Sequence, residues 1–498
     1  MGEKLREVRV DKLAQLREFG IDPFGSRFDG AEALSGIRAS FDPDAEPRRA
    51  RAAGRIMAKR GHGKSSFFDI QDGTGRMQAN VTVNSLGEEL YAAFRLIDIG
   101  DIVGIEGEVK LTRTGEITIF ANSLRLLCKS LLPLPEKWHG LTAVEARYRH
   151  RSVDLIMNPE VKERFLLRSR VIAEVRRYLG SEGYIEVETP MMQPIPGGAV
   201  ARPFVTHHNA LGLDLYMRVA PELYLKRLLV GGLERVFEIG RCYRNEGIDR
   251  SHNPEFTQIE LYEAYADYER MMALCEGAFA AAAGRVLGTT KVKWPTGDSG
   301  DETVEIDLAP PWRRARFKDL VREHAGVDPD DEGAVKDAAG KLDPEHLTAS
   351  HDACLDVLFG EHVEGKLIQP TFVTHQPASL TPLCRRSPDD DSVSERFEPV
   401  IAGMEVGNAY TEINDPLHQR EEFERQLQAL PEEETSGRID EEFLTALEHG
   451  MPPAGGMGIG IDRMVMILAG VRSIREVILF PLLRPEHGGP GDEGADES

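Results

Sequence analysis

Residues 235 to 265, RVFEIGRCYRNEGIDRSHNPEFTQIELYEAY, hold two alternating runs joined by the charged loop NEGIDRSHN. Successive side chains of a strand point to opposite faces. One face of the first run therefore carries Val236, Glu238, Gly240, Cys242 and Arg244, and the other Phe237, Ile239, Arg241 and Tyr243. In the second run Phe256, Gln258, Glu260 and Tyr262 share a face, opposite Thr257, Ile259 and Leu261. Each strand could thus turn one face to a core. The other faces jointly offer a guanidinium, an aromatic plane, a carboxylate and a phenol. A solvated surface hairpin is the competing reading, but it seldom sets a phenylalanine such as Phe256 among those polar groups.

Two later segments bear on the choice. In GGMGIGIDRMVMIL, Gly456, Gly458 and Gly460 alternate with Met457, Ile459 and Ile461. A strand with one bare face lets a flat ligand lie against the backbone; close strand–helix packing is the other use of such glycines. Asp462 and Arg463 then stand where a helix begins, a setting that favours phosphate. In GMEVGNAYTEIND, Asn408, Tyr410 and Glu412 share a face, and a bulge at Gly407 would bring Glu405 round to join them.

The 498 residues, 41% hydrophobic and 29% charged, suit a large core divided into two or three domains. A net charge of -23 argues against nonspecific nucleic-acid binding over the whole surface and leaves room for a local basic patch. Five scattered cysteines, without CxxC grouping, suggest neither a disulfide framework nor a zinc site and fit a reducing cytoplasm. No apolar run reaches the length of a membrane span, and no secretory core opens the chain.

Along the chain, a helical extension is expected over 1–50. Short strands with glycine turns over 51–130, as in FFDIQDGTGRMQANVTV and VKLTRTGEITIF, suit an OB-fold barrel. A proline-marked linker follows over 131–150 and a large α+β region over 151–486, opening with a helix near 159–182. Insertions around 296–303 and 328–350 are expected to be peripheral, and the acidic tail 487–498 disordered.

Together these segments resemble the class II aminoacyl-tRNA synthetases, and among them the bacterial-type lysyl-tRNA synthetases. GYIEVETPMM (183–192), RCYRNEGIDRSHNPEF and GMGIGIDRMVM are similar to the three ordered motifs of the class. IPGGAVARPFVTHHNALGLDLYMRVAPELYLKRL, QPTFVTHQPASLTPL and EVGNAYTEIND are similar to lysine-type segments between them. The resemblance implies an antiparallel-sheet catalytic domain preceded by an all-β OB-fold barrel. It also implies ATP-dependent activation of L-lysine, transfer to tRNA-Lys, magnesium as cofactor, a cytoplasmic homodimer and no membrane partner.

Site roles follow from the same resemblance. Arg244 would hold the ATP α-phosphate and the lysine carboxylate. Phe256 would stack on adenine with Arg463 opposite, and Glu246 and His252 would position the base and the phosphate tail. Glu398 and Glu405 would hold magnesium. Gly198 and Glu222 would receive the α-ammonium, while Glu260, Tyr262 and Glu412, with Asn408 and Tyr410 nearby, would enclose the side-chain ammonium. One departure stands in the second motif: Ser251 precedes His252, where many relatives carry arginine, and Arg250 lies one residue earlier. A catalytically silent synthetase-like regulator and a paralogue that attaches lysine to a protein are the two rival readings. The paralogue would lack the amino-terminal barrel.

Parity also marks a face of that barrel. Phe68 shares its side with Ile70 and belongs to the core, whereas Phe67 shares its side with Asp69 and Gln71 and faces outward. Gln78 lies outward with Arg76, Asn80 and Thr82. An outward aromatic beside an amide suits an unpaired base, with Arg55, Lys59, Arg60 and Lys64 available for phosphates. The family resemblance independently implies Phe67 and Gln78 as anticodon contacts.

Overall fold

The computed structural model describes residues 2–135, 144–297, 300–429 and 438–485. The expected acidic tail, and residues 136–143 of the expected linker, lie outside these. The chain forms two compact units, Met1–Thr142 and Ala143–Ser498.

In the first unit five strands close a barrel: β1 (Arg49–His62), β2 (Ser65–Gln71), β3 (Arg76–Thr82), β4 (Ile102–Leu111) and β5 (Ile117–Cys128), in the order β1-β2-β3-β5-β4. Closure depends on the length of β1. Its first half pairs with β4 and its second half with β2, with a register shift between Ile56 and Ala58. Gly54 sits at the crossing, where a Cβ would lie 2.9 Å from the carbonyl oxygen of Gln71. Ile56, Phe68, Ile70, Met77, Ala79, Val103 and Ile119 fill the interior, joined by Leu16, Leu34 and Ile37 from the amino-terminal segment.

The second unit is built on a nine-stranded sheet. Its strands are β6 (Ile185–Glu186), β7 (Arg235–Tyr243), β8 (Glu255–Ala264), β9 (Arg313–Arg316), β10 (Thr371–Thr374), β11 (Arg396–Ile401), β12 (Met404–Glu405), β13 (Gly407–Thr411) and β14 (Ala454–Gly460). The order is β9-β10-β11-β13-β14-β8-β7-β6, with β12 also on β11. Pairing is antiparallel except at the two outermost pairs, β9 with β10 and β7 with β6.

One face of this sheet is apolar, as the alternation requires. Phe237, Ile259, Leu261, Met457, Ile459, Phe397 and Ala409 meet three helices there: Pro159–Ser181, Tyr268–Leu287 and Ile461–Ala469. The Tyr268–Leu287 helix shows why. Met271, Cys275, Ala278, Phe279, Ala282 and Ala283 recur at spacings of three and four on one side. Asp267 caps its first N–H groups at Glu269 and Arg270, and left-handed Gly288 ends it. Burying Phe279 alone stabilises the unit by roughly 1.5–3 kcal/mol.

Of the two insertions expected to be peripheral, 328–350 needs correction. The described residues of 296–303 are not buried and form the turn end of a two-stranded hairpin, while Val292, Trp294 and Ile306 of its flanking strands enter the main core. Within 328–350, the helix Glu332–Leu342 buries Val335 and Ala339 against Phe317, Leu320, Leu355 and Leu358. The segment 328–350 looks acidic in sequence because its exposed face is; its apolar residues are few but placed together.

Candidate active site

The opposite face of the sheet is a cavity of about 280 Å³. Its floor is the glycine strand β14, flanked by two polar rows. Gly458 lies between Glu260 of β8 and Asn408 of β13, and Gly456 between Tyr262 and Tyr410. A Cβ on Gly456 would collide with the Glu412 carboxylate and lie 2.5 Å from the Tyr262 ring. The bare face is therefore required by what crosses it. Arg244, Glu246, His252, Phe256, Arg463, Gly198, Glu222, Glu260, Tyr262, Asn408, Tyr410 and Glu405 all line this one cavity.

Glu405 reaches it through the bulge expected near Gly407. Val400 pairs with Glu405, but Phe397 pairs with Ala409, so the register slips by one residue at Val406 and Gly407. A Cβ on Gly407 would run into the carbonyl of Gly458. The carboxylate of Glu405 is walled in by the protein yet open to the cavity, and burial together with neighbouring Glu398 pushes it up to about 7. Arg463 is its nearest cation, at 3.9 Å. Glu398 is paired instead with Arg396 at 2.5 Å, and Arg396 also holds Asn408 at 2.8 Å. Among the described residues no group of three or more His, Cys, Asp or Glu could form a metal cage.

At the hairpin end, the backbone N–H of Arg244 donates to Pro254, and its guanidinium stands 5.2 Å from the centre of the Phe256 ring. The Nε of Arg244 is buried without a hydrogen-bond partner among the described residues. Such an orphaned donor is costly unless a ligand fills it. Arg463, in the first turn of the Ile461–Ala469 helix, donates to the Glu405 carbonyl at 2.5 Å and lies 3.3 Å from His252 Nε2. His252 Nδ1 meets Asp249 at 2.8 Å. Partial burial would raise Asp249, but hydrogen bonds from His252 and from the Ser251 and His252 backbone hold it at about 2. Ser251 thus spends its N–H and hydroxyl on Asp249, and Arg250 points to solvent, outside the cavity wall. Asp462 borders the cavity, but its carboxylate is already engaged: it accepts from the Thr257 N–H at 2.7 Å and pairs with Arg168.

The other end of the cavity is acidic, and its carboxylates are buried. Glu260 accepts from Gln258 at 2.6 Å and from Tyr262 at 3.1 Å, and burial, then Glu222, pushes it up to about 8. Glu222, first residue of the helix Glu222–Val230, accepts from Tyr410 at 2.7 Å and from Lys226 at 2.5 Å. Gly198, at φ +88°, passes so close that a Cβ would lie 2.9 Å from that of Glu222. Glu412 stands behind the cavity wall, 1% exposed, and its ion partner is Lys226. The sequence reading passed over Lys226. Its spacing from Glu222 on an otherwise apolar helix was the available signal.

On the barrel, Phe67 is half-buried on the outer face and Phe68 is in the core. Arg60 of β1 and Asn80 of β3 flank Phe67. Arg60 is 71% exposed, and Gln78 accepts from Thr118 at 2.9 Å. Three details depart from expectation. Asn80 is turned in, donating to Ser65 and Ser66. Lys59 lies over the Phe94 ring with its ammonium on the Phe94 and Ile97 carbonyls, and burial lowers it to about 8. Arg55 donates to the Gly100 carbonyl. Of the four basic residues only Arg60 and Lys64 are therefore exposed, and Arg60 stands 3.9 Å from the Asp69 carboxylate.

Residues 143–484 match the model of the tRNA synthetases class II (D, K and N). The chain belongs to that family. The synthetase also matches, over residues 50–127, an OB-fold nucleic acid binding domain. It is 52% identical to the lysine--tRNA ligase of Pelotomaculum thermopropionicum over 97% of this chain and 95% of that protein. It is 50% identical to the lysine--tRNA ligase of Syntrophomonas wolfei over 97% of each chain. It is 48% identical to that of Bacillus subtilis over 96% of this chain and 97% of the relative. No helix among the described residues of the synthetase is long and apolar enough to cross a membrane.

Proposed function

We propose that this class II synthetase activates L-lysine with ATP and transfers the lysyl group to tRNA-Lys. The observation that carries the reading is the cluster of buried carboxylates at the acidic end of the cavity. There Glu222, Glu260 and Glu412 are each at most 6% exposed and lie with the phenols of Tyr262 and Tyr410. A diammonium amino acid suits that set. The aspartate side chain would meet like charges there, at a cost of several kcal/mol. The names of the relatives agree.

In this reading the α-ammonium sits at Gly198 and Glu222 and the side-chain ammonium at Glu260 and Tyr262. Glu412 presents one oxygen past Gly456, with Asn408 and Tyr410 closing the side. The lysine carboxylate attacks the ATP α-phosphate in line and pyrophosphate leaves. Arg244 stabilises the charge that builds on the phosphorus oxygens. Its unpaired Nε is the donor held ready for that role. Phe256 stacks on the adenine, Arg463 and His252 guide the polyphosphate, and Glu246 at the rim reads the base. The ribose of the tRNA end then attacks the lysyl carbonyl and AMP departs. No protein nucleophile is required.

Magnesium fits the residues present, since Glu405 is a hard oxygen donor whose raised pKa marks a carboxylate that gains from a cation. Glu398 and Glu405 would hold it, and it would neutralise the polyphosphate. The anticodon loop docks on Phe67, Gln78 and Arg60. A homodimer forms through the first motif, where Ile185 and Met192 stand 53% and 54% exposed. Reduced cysteines suit the cytoplasm. The test is pyrophosphate exchange with each amino acid, followed by charging of tRNA-Lys. Exchange that answers to aspartate or asparagine and ignores lysine overturns the reading.

A further inference from the structure

Lys226 is the most deeply enclosed cation of the amino-acid end, with no exposed surface, and it does not line the cavity. Its ammonium bridges Glu222, at 2.5 Å, and Glu412. It lies 5.6 Å from the centre of the Tyr410 ring, whose hydroxyl donates to the same Glu222 oxygen. The other Glu412 oxygen has no hydrogen-bond partner among the described residues and lies against the bare face of Gly456, which is cavity floor. Burial pulls Lys226 toward neutrality, but Glu222 and Glu412 outweigh it and keep the ammonium charged.

With its three carboxylates ionised, as a bound diammonium ligand would draw them, and one internal ammonium, this end carries two negative charges in surplus. Lysine carries two ammonium groups. We propose that Lys226 is a specificity-determining positioning residue, an internal ammonium that fixes Glu222 and Glu412 and trims the pocket's charge to match a diammonium ligand. The inference rests on the lysine reading above and adds to it. Glu260 and the free Glu412 oxygen meet the side-chain ammonium, Glu222 meets the α-ammonium, and Lys226 takes what would otherwise be unpaired charge. Buried unpaired charge is among the costliest features a core can hold, which makes the match a selective one.

The test is a double-mutant cycle read in pyrophosphate exchange. Lys226→Met keeps the side-chain length and leaves a surplus of three, and Glu412→Gln leaves a surplus of one. The pair together restores two. Each single change should raise the lysine KM at least tenfold and leave the ATP KM within about twofold. The double variant should show a lysine KM at least fivefold below the product of the two single effects. A purely structural Lys226 would lower the melting temperature and leave the lysine KM of the folded fraction alone. That outcome, or multiplicative single effects, overturns the proposal. If Lys226→Met does not fold, the double variant decides: a lysine KM no better than that of Glu412→Gln rejects charge matching. Wild-type protein that ignores lysine would reject the underlying reading instead, so the two failures are distinguishable.

Discussion

Glu260 gives the sharpest quantitative prediction. Its carboxyl is held at about 8 by burial and by Glu222, so near neutral pH most of the empty protein carries it protonated. A protonated carboxyl offers an ammonium no charge, so binding lysine must expel that proton. The apparent affinity for lysine should follow the ionised fraction. That fraction rises from about 1% at pH 6 to about 50% at pH 8, so the lysine KM should fall about fiftyfold across that interval and level off above it. The assay is lysine-dependent pyrophosphate exchange at saturating ATP and magnesium. Those conditions remove the titration of Glu405, which lies at the polyphosphate end. Glu260→Gln should bind lysine weakly with a flat profile. A flat wild-type profile, or a slope that survives in Glu260→Gln, refutes the argument.

The same group has a stability sign. Its folded value lies above its unfolded one, so the stabilisation it contributes is complete below the unfolded value near 4.5 and is lost as pH rises through 8. The slope is at most about 1.4 kcal/mol per pH unit. Empty wild-type protein should therefore lose stability relative to Glu260→Gln between pH 6 and 8, and lysine should restore more of it at pH 8. Equal pH dependence of the two melting curves would contradict this.

Three further outcomes are expected. Arg244→Ala should slow adenylate formation by about 10² or more with little change in folding, because the lost group serves charge that develops during the reaction; near-normal exchange in a folded variant rejects that role. Glu405→Gln should raise the magnesium concentration for half-maximal exchange at least about tenfold and leave the lysine KM at saturating magnesium unchanged; an unaltered magnesium titration removes Glu405 from the metal site. Phe67→Ala should weaken tRNA charging by roughly the 1–3 kcal/mol of a lost base stack and spare lysine-dependent exchange; loss of both activities together makes Phe67 a packing residue.

Strand parity explains why so much of the cavity was legible. Glu260 and Tyr262 had to share a face because the period is two, and Ile259 and Leu261 fixed which face was the core. The bulge that turns Glu405 inward was readable from Gly407, since only a residue without a side chain can pass the Gly458 carbonyl. Parity fails where a neighbouring element competes for the polar group. Asn80 has the outward register of Gln78, yet Ser65 and the Ser66 carbonyl draw it in. Lys59 is claimed by two carbonyls at the end of a helix that no local pattern connects to it.

Lys226 is the instructive omission. In ELYLKRLLV a lysine four residues after a glutamate ordinarily describes a solvated helix pair worth a few tenths of a kcal/mol. Here Leu223, Leu225 and Leu229 bury the helix on most sides, so the pair goes under with them. Burial changes the physics of the pair. A surface lysine would be free to leave Glu222, whereas an ammonium without solvent must keep its carboxylates, and Glu412, just past the end of β13, supplies the second. The sequence contains both ends of that interaction, 186 positions apart by their numbering. What it lacks is the reason they meet, which is the antiparallel placement of β13 beside β14 that brings the chain past Gly456. A charged residue on a helix should therefore be read with its apolar neighbours first: where they demand burial, its charge must be answered from elsewhere in the fold, and the answering residue marks the binding site.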